Sequence, residues 1–276
     1  MKTAKNFFEM ALCGAWMGLA LAACSEEEGR PWQDGSKVDL PAYRSFILCE
    51  GQQTKNNSHL FFCNPATHEV MADDIYELQN GQKLGDTAND LIANHGDLYV
   101  VVNVSEVLLR LNGAGVEQAR YEGFEADGLG QPRNAVGVGD KIYVTCYGGY
   151  VARFDARTLA FEAKVAVDAN PEQIVAVGDS LYCINSGYGA GHTLSAISTK
   201  TFDDATPHET YSNGFGLQAA GGNIYVMAYD EYYNCHVGRY DIATTATTDI
   251  AYASRMLAWG DRLYMANATS PDWVNY

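Results

Sequence analysis

The sequence predicts an all-β protein, a β-propeller of four-stranded antiparallel blades, on three observations. First, a polar glycine turn followed by an aliphatic residue and a tyrosine recurs five times. The copies are Gly96-Asp97-Leu98-Tyr99, Gly139-Asp140-Lys141-Ile142-Tyr143, Gly178-Asp179-Ser180-Leu181-Tyr182, Gly222-Asn223-Ile224-Tyr225 and Gly260-Asp261-Arg262-Leu263-Tyr264, with tyrosines 44, 39, 43 and 39 residues apart. Second, another phrase trails the first four copies (LLRLN, VARFD, LSAIS, VGRYD), and its markers Leu111, Phe154, Ile197 and Tyr240 are 43 residues apart each time. Third, apolar residues alternate with period two inside each unit, as a strand requires. Residues 135–167 read as four short strands, AVGV, KIYVTC, YVARFD and LAFEAKVAV, separated by tight turns.

Four strands per ~40–50 residues, repeated along the chain, are the pattern of a propeller blade. The Gly-Asp and Gly-Gly-Asn turns suit two-residue hairpins. No apolar stripe of period 3.6 competes over this region. A solenoid or a β-sandwich is the alternative, but a sandwich has no reason to repeat its sequence.

Composition agrees. The 276 residues include 47% hydrophobic side chains, 18 Tyr and 27 Gly against 7 Pro, too apolar for a disordered chain and rich in strand and turn formers. With 18 Lys+Arg against 34 Asp+Glu the net charge is −16, which argues against nucleic acid as a partner, because phosphate binding needs concentrated cations.

In chain order, residues 1–23 read as an export signal. Lys2 and Lys5 precede the apolar run Met10–Leu21, which is shorter than the ~20 residues that span a bilayer. Leu21-Ala22-Ala23-Cys24 resembles a bacterial lipobox, making Cys24 the lipidation site, with an ordinary cleavable signal as the alternative. Ser25-Glu26-Glu27-Glu28 resembles the acidic tag of outer-surface lipoproteins of Bacteroidetes, and equally a solvated tether. Residues 24–44 are expected as a flexible tether and residues 45–276 as the propeller. Five cysteines then remain (Cys49, Cys63, Cys146, Cys183, Cys235), an odd number that cannot form a complete disulfide framework. Cys146 and Cys183 sit in apolar strand patterns, where a free thiol acts as a small core hydrophobe. Leu60–Asn64 (LFFCN) supplies an early copy of the second phrase. Residues 45–276 hold about five and a half units, and the last stops at Trp273–Tyr276, so the chain reads as C-terminally incomplete.

Several stretches together resemble YncE-like, surface-layer-type β-propeller lipoproteins of Bacteroidetes. They are Phe46-Ile47-Leu48-Cys49-Glu50-Gly51, Asn56-Asn57-Ser58 and Leu84–Asp90 (LGDTAND), followed by the repeated G-D-x-Ile/Leu-Tyr. The resemblance covers roughly residues 45–276 and implies a seven-bladed ring. Some members are surface cobalamin-binding proteins that pass the vitamin to a TonB-dependent outer-membrane transporter, so it implies cobalamin and such a transporter as partners.

The blade reading also assigns faces. Turns between first and second strands lie on one face, while segments leading into first strands and loops after second strands lie on the other. Candidate ligand-binding residues on that second face are Asp86, Asn89, Asp90, Arg133, Gln173, Phe215 and Arg255 from the leading segments. The loops add Tyr147, Tyr188, Tyr229, Asp230, Tyr232 and Tyr233. Amides, carboxylates and aromatics around one mouth suit a large polar ligand such as cobalamin, a glycan or a protein loop. The competing reading is that such residues are only turn formers and inter-blade packing.

Nothing points to catalysis. No G-x-S-x-G, H-E-x-x-H, P-loop, EF-hand or G-x-G-x-x-G motif occurs, and the six His are scattered without ligand spacing. Asp73-Asp74 and Asp203-Asp204 read as solvated turns. The expectation is a non-enzymatic, lipid-anchored surface propeller, without a cofactor, that captures a nutrient for a transporter. The alternatives are a scaffold for an outer-membrane complex and a metal-dependent lyase or lactonase.

Overall fold

A computed structural model describes residues 31–267 except Ala72; the signal, Cys24 and residues 268–276 lie outside the described residues. Six antiparallel sheets follow one another along the chain. The first holds β1 (Ser45–Cys49), β2 (His59–Asn64) and the two-residue β3 (Glu69–Val70), followed by a short helix α1 (Ile75–Asn80). Four complete four-stranded blades come next, in simple up-and-down order. They are β4 (Ala88–Asn94), β5 (Asp97–Val102), β6 (Val107–Leu111) and β7 (Glu117–Tyr121), then β8 (Pro132–Val138), β9 (Lys141–Cys146), β10 (Tyr150–Asp155) and β11 (Phe161–Ala166). The other two are β12 (Pro171–Val177), β13 (Ser180–Asn185), β14 (Thr193–Ser198) and β15 (Ala205–Glu209), then β16 (Gly214–Ala220), β17 (Asn223–Tyr229), β18 (Cys235–Asp241) and β19 (Ala246–Tyr252). The two-stranded sixth sheet is β20 (Arg255–Trp259) and β21 (Arg262–Ala266). The fold is a propeller of five blades with a two-stranded sheet after the fifth, as the repeat predicts.

First strands stand side by side around the axis: β4 against β8, β8 against β12, β12 against β16 and β16 against β20. The repeated aliphatic-Tyr pair explains how the blades pack. Neighbouring residues of a strand point to opposite faces, so the two residues serve two different interfaces. Ile142 packs back against Tyr99, Val101 and Leu108 of the preceding blade. Tyr143 packs forward against Ile174, Leu181 and Cys183 of the following one. Leu181 and Tyr182 divide in the same way, as do Ile224 and Tyr225. Tyr99 also donates its hydroxyl to the Ala156 carbonyl of the next blade at 2.8 Å.

The hairpins are of the expected length. Val138 pairs with Lys141 across Gly139-Asp140, and Trp259 with Arg262 across Gly260-Asp261. The β4–β5 turn is His95-Gly96, with φ of 51° and 88°, two left-handed residues that match the strand twist as type I′ turns do.

Three readings are corrected. Residues 31–44, expected as tether, lie partly on the domain: Leu40 is buried in the first core, with Trp32 and Val38 packed against it. Asn112 Nδ2 donates to the Asp34 carbonyl at 2.9 Å, and Arg44 stacks 3.6 Å over the Trp32 ring. The apolar residues inside a polar stretch are what dock it. Asp74, expected in a solvated turn, caps α1 by accepting from Glu77 N–H at 3.0 Å and meets His59 Nδ1 at 2.8 Å. The helix itself was not foreseen, because six residues are too few to display a 3.6-residue period. It covers the first core with Ile75 and Tyr76, and Tyr76 OH donates to Glu117 at 2.5 Å.

All five cysteines are free, and Cys146 and Cys183 are buried; burial pushes the Cys183 thiol up to about 12 and leaves it unreactive.

The two-interface packing yields a prediction. Tyr143 is 2% exposed, whereas Tyr264, in the same phrase of the sixth sheet, is 45% exposed. Tyr143→Ala should cost about 3–5 kcal/mol, the range for a buried aromatic, and Tyr264→Ala under about 1 kcal/mol. Urea denaturation of the two variants measures the difference.

Candidate functional site

At the end where first strands begin, their second residues are Asn89 in β4, Arg133 in β8, Glu172 in β12 and Phe215 in β16. Each strand is bulged there, which turns these side chains toward the mouth. The loops after the second strands lie at the same end, because each hairpin reverses the chain.

Arg133 is the centre of one cluster. Its Nε donates to Glu172 Oε2 at 2.7 Å, across two adjacent blades. Glu172 Oε1 accepts from Tyr147 OH and from Ser186 Oγ, both at 3.2 Å. The Arg133 guanidinium lies 5.7 Å from the Tyr147 ring, and Tyr147 lies 6.4 Å from Tyr188. Burial works against the Arg133 charge, but the hydrogen bond and charge of Glu172 outweigh it and hold its pKa above the ordinary value. Burial, with Glu172 adding to it, pushes the Tyr147 phenol up to about 12. Beside this cluster Asn89 Nδ2 donates to Glu50 at 2.8 Å, while Asn89 Oδ1 is buried without a partner among the described residues.

The second cluster spans β12, β16, β17 and β20. Phe215 and Tyr229 stack at 4.5 Å with their planes 23° apart. Gln173, Phe215, Gly216, Gln218, Met227, Arg255 and Met256 line a cavity of about 210 Å³.

Tyr188, Tyr232 and Tyr233 stand 81%, 75% and 79% exposed on the adjacent loops. Tyr188 and Tyr233 have φ of 57° and 62°, a left-handed backbone that a bulky side chain rarely adopts. Asp230 imposes the second of these bends: its Oδ1 accepts from Tyr232 N–H and Asn234 N–H, both at 2.8 Å. The Asn234 side chain contributes most to holding its carboxyl below the usual range.

The structure thus brings Arg133, Tyr147 and Tyr188 into one group and Gln173, Phe215, Tyr229 and Arg255 into another, with Asp230, Tyr232 and Tyr233 on the loop after Tyr229. Asp86 and Asp90 stand apart from both groups. Buried Asp86 anchors the loop after β1, accepting from Thr54 N–H at 3.1 Å and Asn56 N–H at 3.2 Å. Asp90 joins two blades by accepting from Ala135 N–H at 2.8 Å.

Glu172, Glu50, Met227 and Met256 were missed. Glu172 had a signal: Pro171-Glu172-Gln173 follows Pro132-Arg133-Asn134 by 39 residues, the tyrosine spacing of those same blades, which places opposite charges at one position of adjacent strands. Among the described residues no three His, Cys, Asp or Glu side chains converge as a metal site would need.

A family model described as "Domain of unknown function (DUF5074)" matches residues 43–272. No curated protein sequence matches the chain significantly. The designed protein Ika8 superposes with TM-score 0.56 at 10% identity, over 74% of this chain and 61% of that one. The WD40 β-propeller domain of Doa1 gives 0.54 at 10% identity, over 72% and 64%. A structural genomics protein of unknown function from Bacteroides thetaiotaomicron gives 0.52 at 8% identity, over 78% and 63%. The chain therefore spans less than two thirds of the length of these structures, and at such identities the likeness is one of fold alone.

Burial, opposed by the Ala135 N–H bond, holds the Asp90 pKa above the ordinary carboxylate value. A carboxyl whose pKa is raised on folding is a burden once ionised, so stability falls as pH rises from about 4, the unfolded value, through the folded one. Asp90→Asn keeps an oxygen for Ala135 N–H and gives up the bond that the other oxygen accepts from Leu91 N–H at 2.9 Å. It should show a flatter stability profile than the parent above pH 4, measured by urea denaturation at a series of pH values.

Proposed function

We propose a ligand-capture role for this chain, which belongs to the DUF5074 family: a non-enzymatic propeller, held on the outer membrane by lipidated Cys24, that presents its mouth to a large polar ligand and hands it to a TonB-dependent transporter. The single observation that carries the reading is the rim. Tyr188, Tyr232 and Tyr233 expose flat aromatic surface where a folding core has no use for it, two of them on left-handed backbone. Rigid tyrosines supply contact area at low entropic cost, and the polar groups behind them fix orientation. Cobalamin, with its peripheral amides, is the ligand that the likeness to surface corrinoid-binding propellers favours.

Isothermal titration of the mature chain with cyanocobalamin should show binding at micromolar concentration. Tyr188→Ala and Tyr233→Ala should each weaken it about tenfold, roughly the 1.4 kcal/mol that an aromatic contact supplies, without lowering thermal stability. No heat from the parent chain removes cobalamin as the ligand.

A further inference from the structure

The polar side chains that line the cavity in the second cluster, Gln173, Gln218 and Arg255, have donors to offer it. Gln173 Oε1 accepts from Leu217 N–H at 2.8 Å, and Gln218 Oε1 accepts from Ala258 N–H at 3.1 Å. These bonds decide the orientation of both amides. A flipped side chain would set NH₂ against a backbone N–H, donor against donor. Both Nε2 groups are therefore left with two N–H each, and no described residue accepts from either. Arg255 adds a guanidinium whose Nη1 donates to the Ser254 carbonyl at 2.7 Å. It makes no ion pair among the described residues, as is also true of Arg44, Arg157, Arg239 and Arg262, and unlike those it lines the cavity. The remaining wall is apolar, formed by Met227, Met256 and the Phe215 ring stacked on Tyr229.

We infer that this cavity takes an acceptor-rich anionic head group, a carboxylate or a phosphate, carried on an apolar body that lies against Met227, Met256 and Phe215. A neutral apolar occupant would strip water from the amide N–H groups and the guanidinium without replacing it, which is costly. A cation would meet Arg255. A carboxylate or phosphate satisfies all three groups, and the planar fork of arginine matches its paired oxygens. In a chain of net charge −16 such a site selects by short-range geometry, since long-range repulsion of anions is screened beyond about 8 Å at physiological salt. The inference deepens the reading of this mouth as the binding face, and rests on it.

The test is a set of three probes sharing one ring: phenylacetate, phenyl phosphate and uncharged 2-phenylethanol, titrated into the mature chain by ligand-observed NMR. At least one acid should bind, ten-fold or more tighter than the alcohol, and which acid binds distinguishes carboxylate from phosphate. Arg255→Gln should weaken that binding at least ten-fold. Gln218→Glu and Gln173→Glu should do the same at unchanged melting temperature, because each keeps its oxygen for the backbone N–H and replaces only the donor. The inference is overturned if the alcohol binds as tightly as the acids, if neither acid binds the parent at millimolar concentration, or if the glutamate variants bind unchanged. Failure of the acids with retained binding of cyanocobalamin through the rim tyrosines defeats this inference alone.

Discussion

The packing of each blade between two neighbours is the constraint on which the rest of this fold depends. A sheet with only one buried face would alternate apolar and polar residues along its strands. Here the middle strands are buried on both faces, and alternation sorts apolar side chains between two interfaces. The smaller aliphatic of each Ile/Leu-Tyr pair fills the joint behind it, and the tyrosine fills the joint ahead. The step between copies stays close to 43 because every blade must present the same two surfaces to be stackable.

That stacking brings the first strands together, and polar side chains then stitch them. Asp90, Gln173 and Gln218 each reach across to a backbone N–H of the next first strand. First strands are the edge strands of their sheets, so alternate N–H groups have no partner within their own blade, and the bulges of β8, β12 and β16 fall where Arg133, Glu172 and Phe215 stand. Structural and binding roles therefore share residues. A glutamine that satisfies a backbone donor with its oxygen offers its nitrogen to whatever occupies the cavity, so the joint between blades determines the polarity of the site.

The candidate residues illustrate what a sequence of this kind discloses. Strand phase tells which loops share a face, and that places Tyr147, Tyr188 and Tyr229–Tyr233 together from the sequence. Phase does not tell whether a carboxylate faces the mouth or the seam. Asp86 and Asp90 hold backbone N–H groups instead, Asp86 in the loop before β4 and Asp90 beside the β4 bulge. Glu172 was overlooked for another reason. Its significance lies in Arg133, one blade away, and only superposing one repeat on the next exposes the pair. The helix Ile75–Asn80 and the docked residues 31–40 escaped because neither repeats, and a single copy carries no periodic signal.

The chain on its own determined the blade type, the strand phase and the two-residue hairpins. All of these are local or periodic, and they follow from two-residue alternation and from glycine at left-handed turns. Only the tertiary structure decided which polar atoms meet across a joint, which amide ends remain unspent, and that Arg255 lines the cavity without an ion pair among the described residues. Those outcomes depend on distances between residues some forty positions apart, set by how two blades pack, and no pattern along a single strand encodes them.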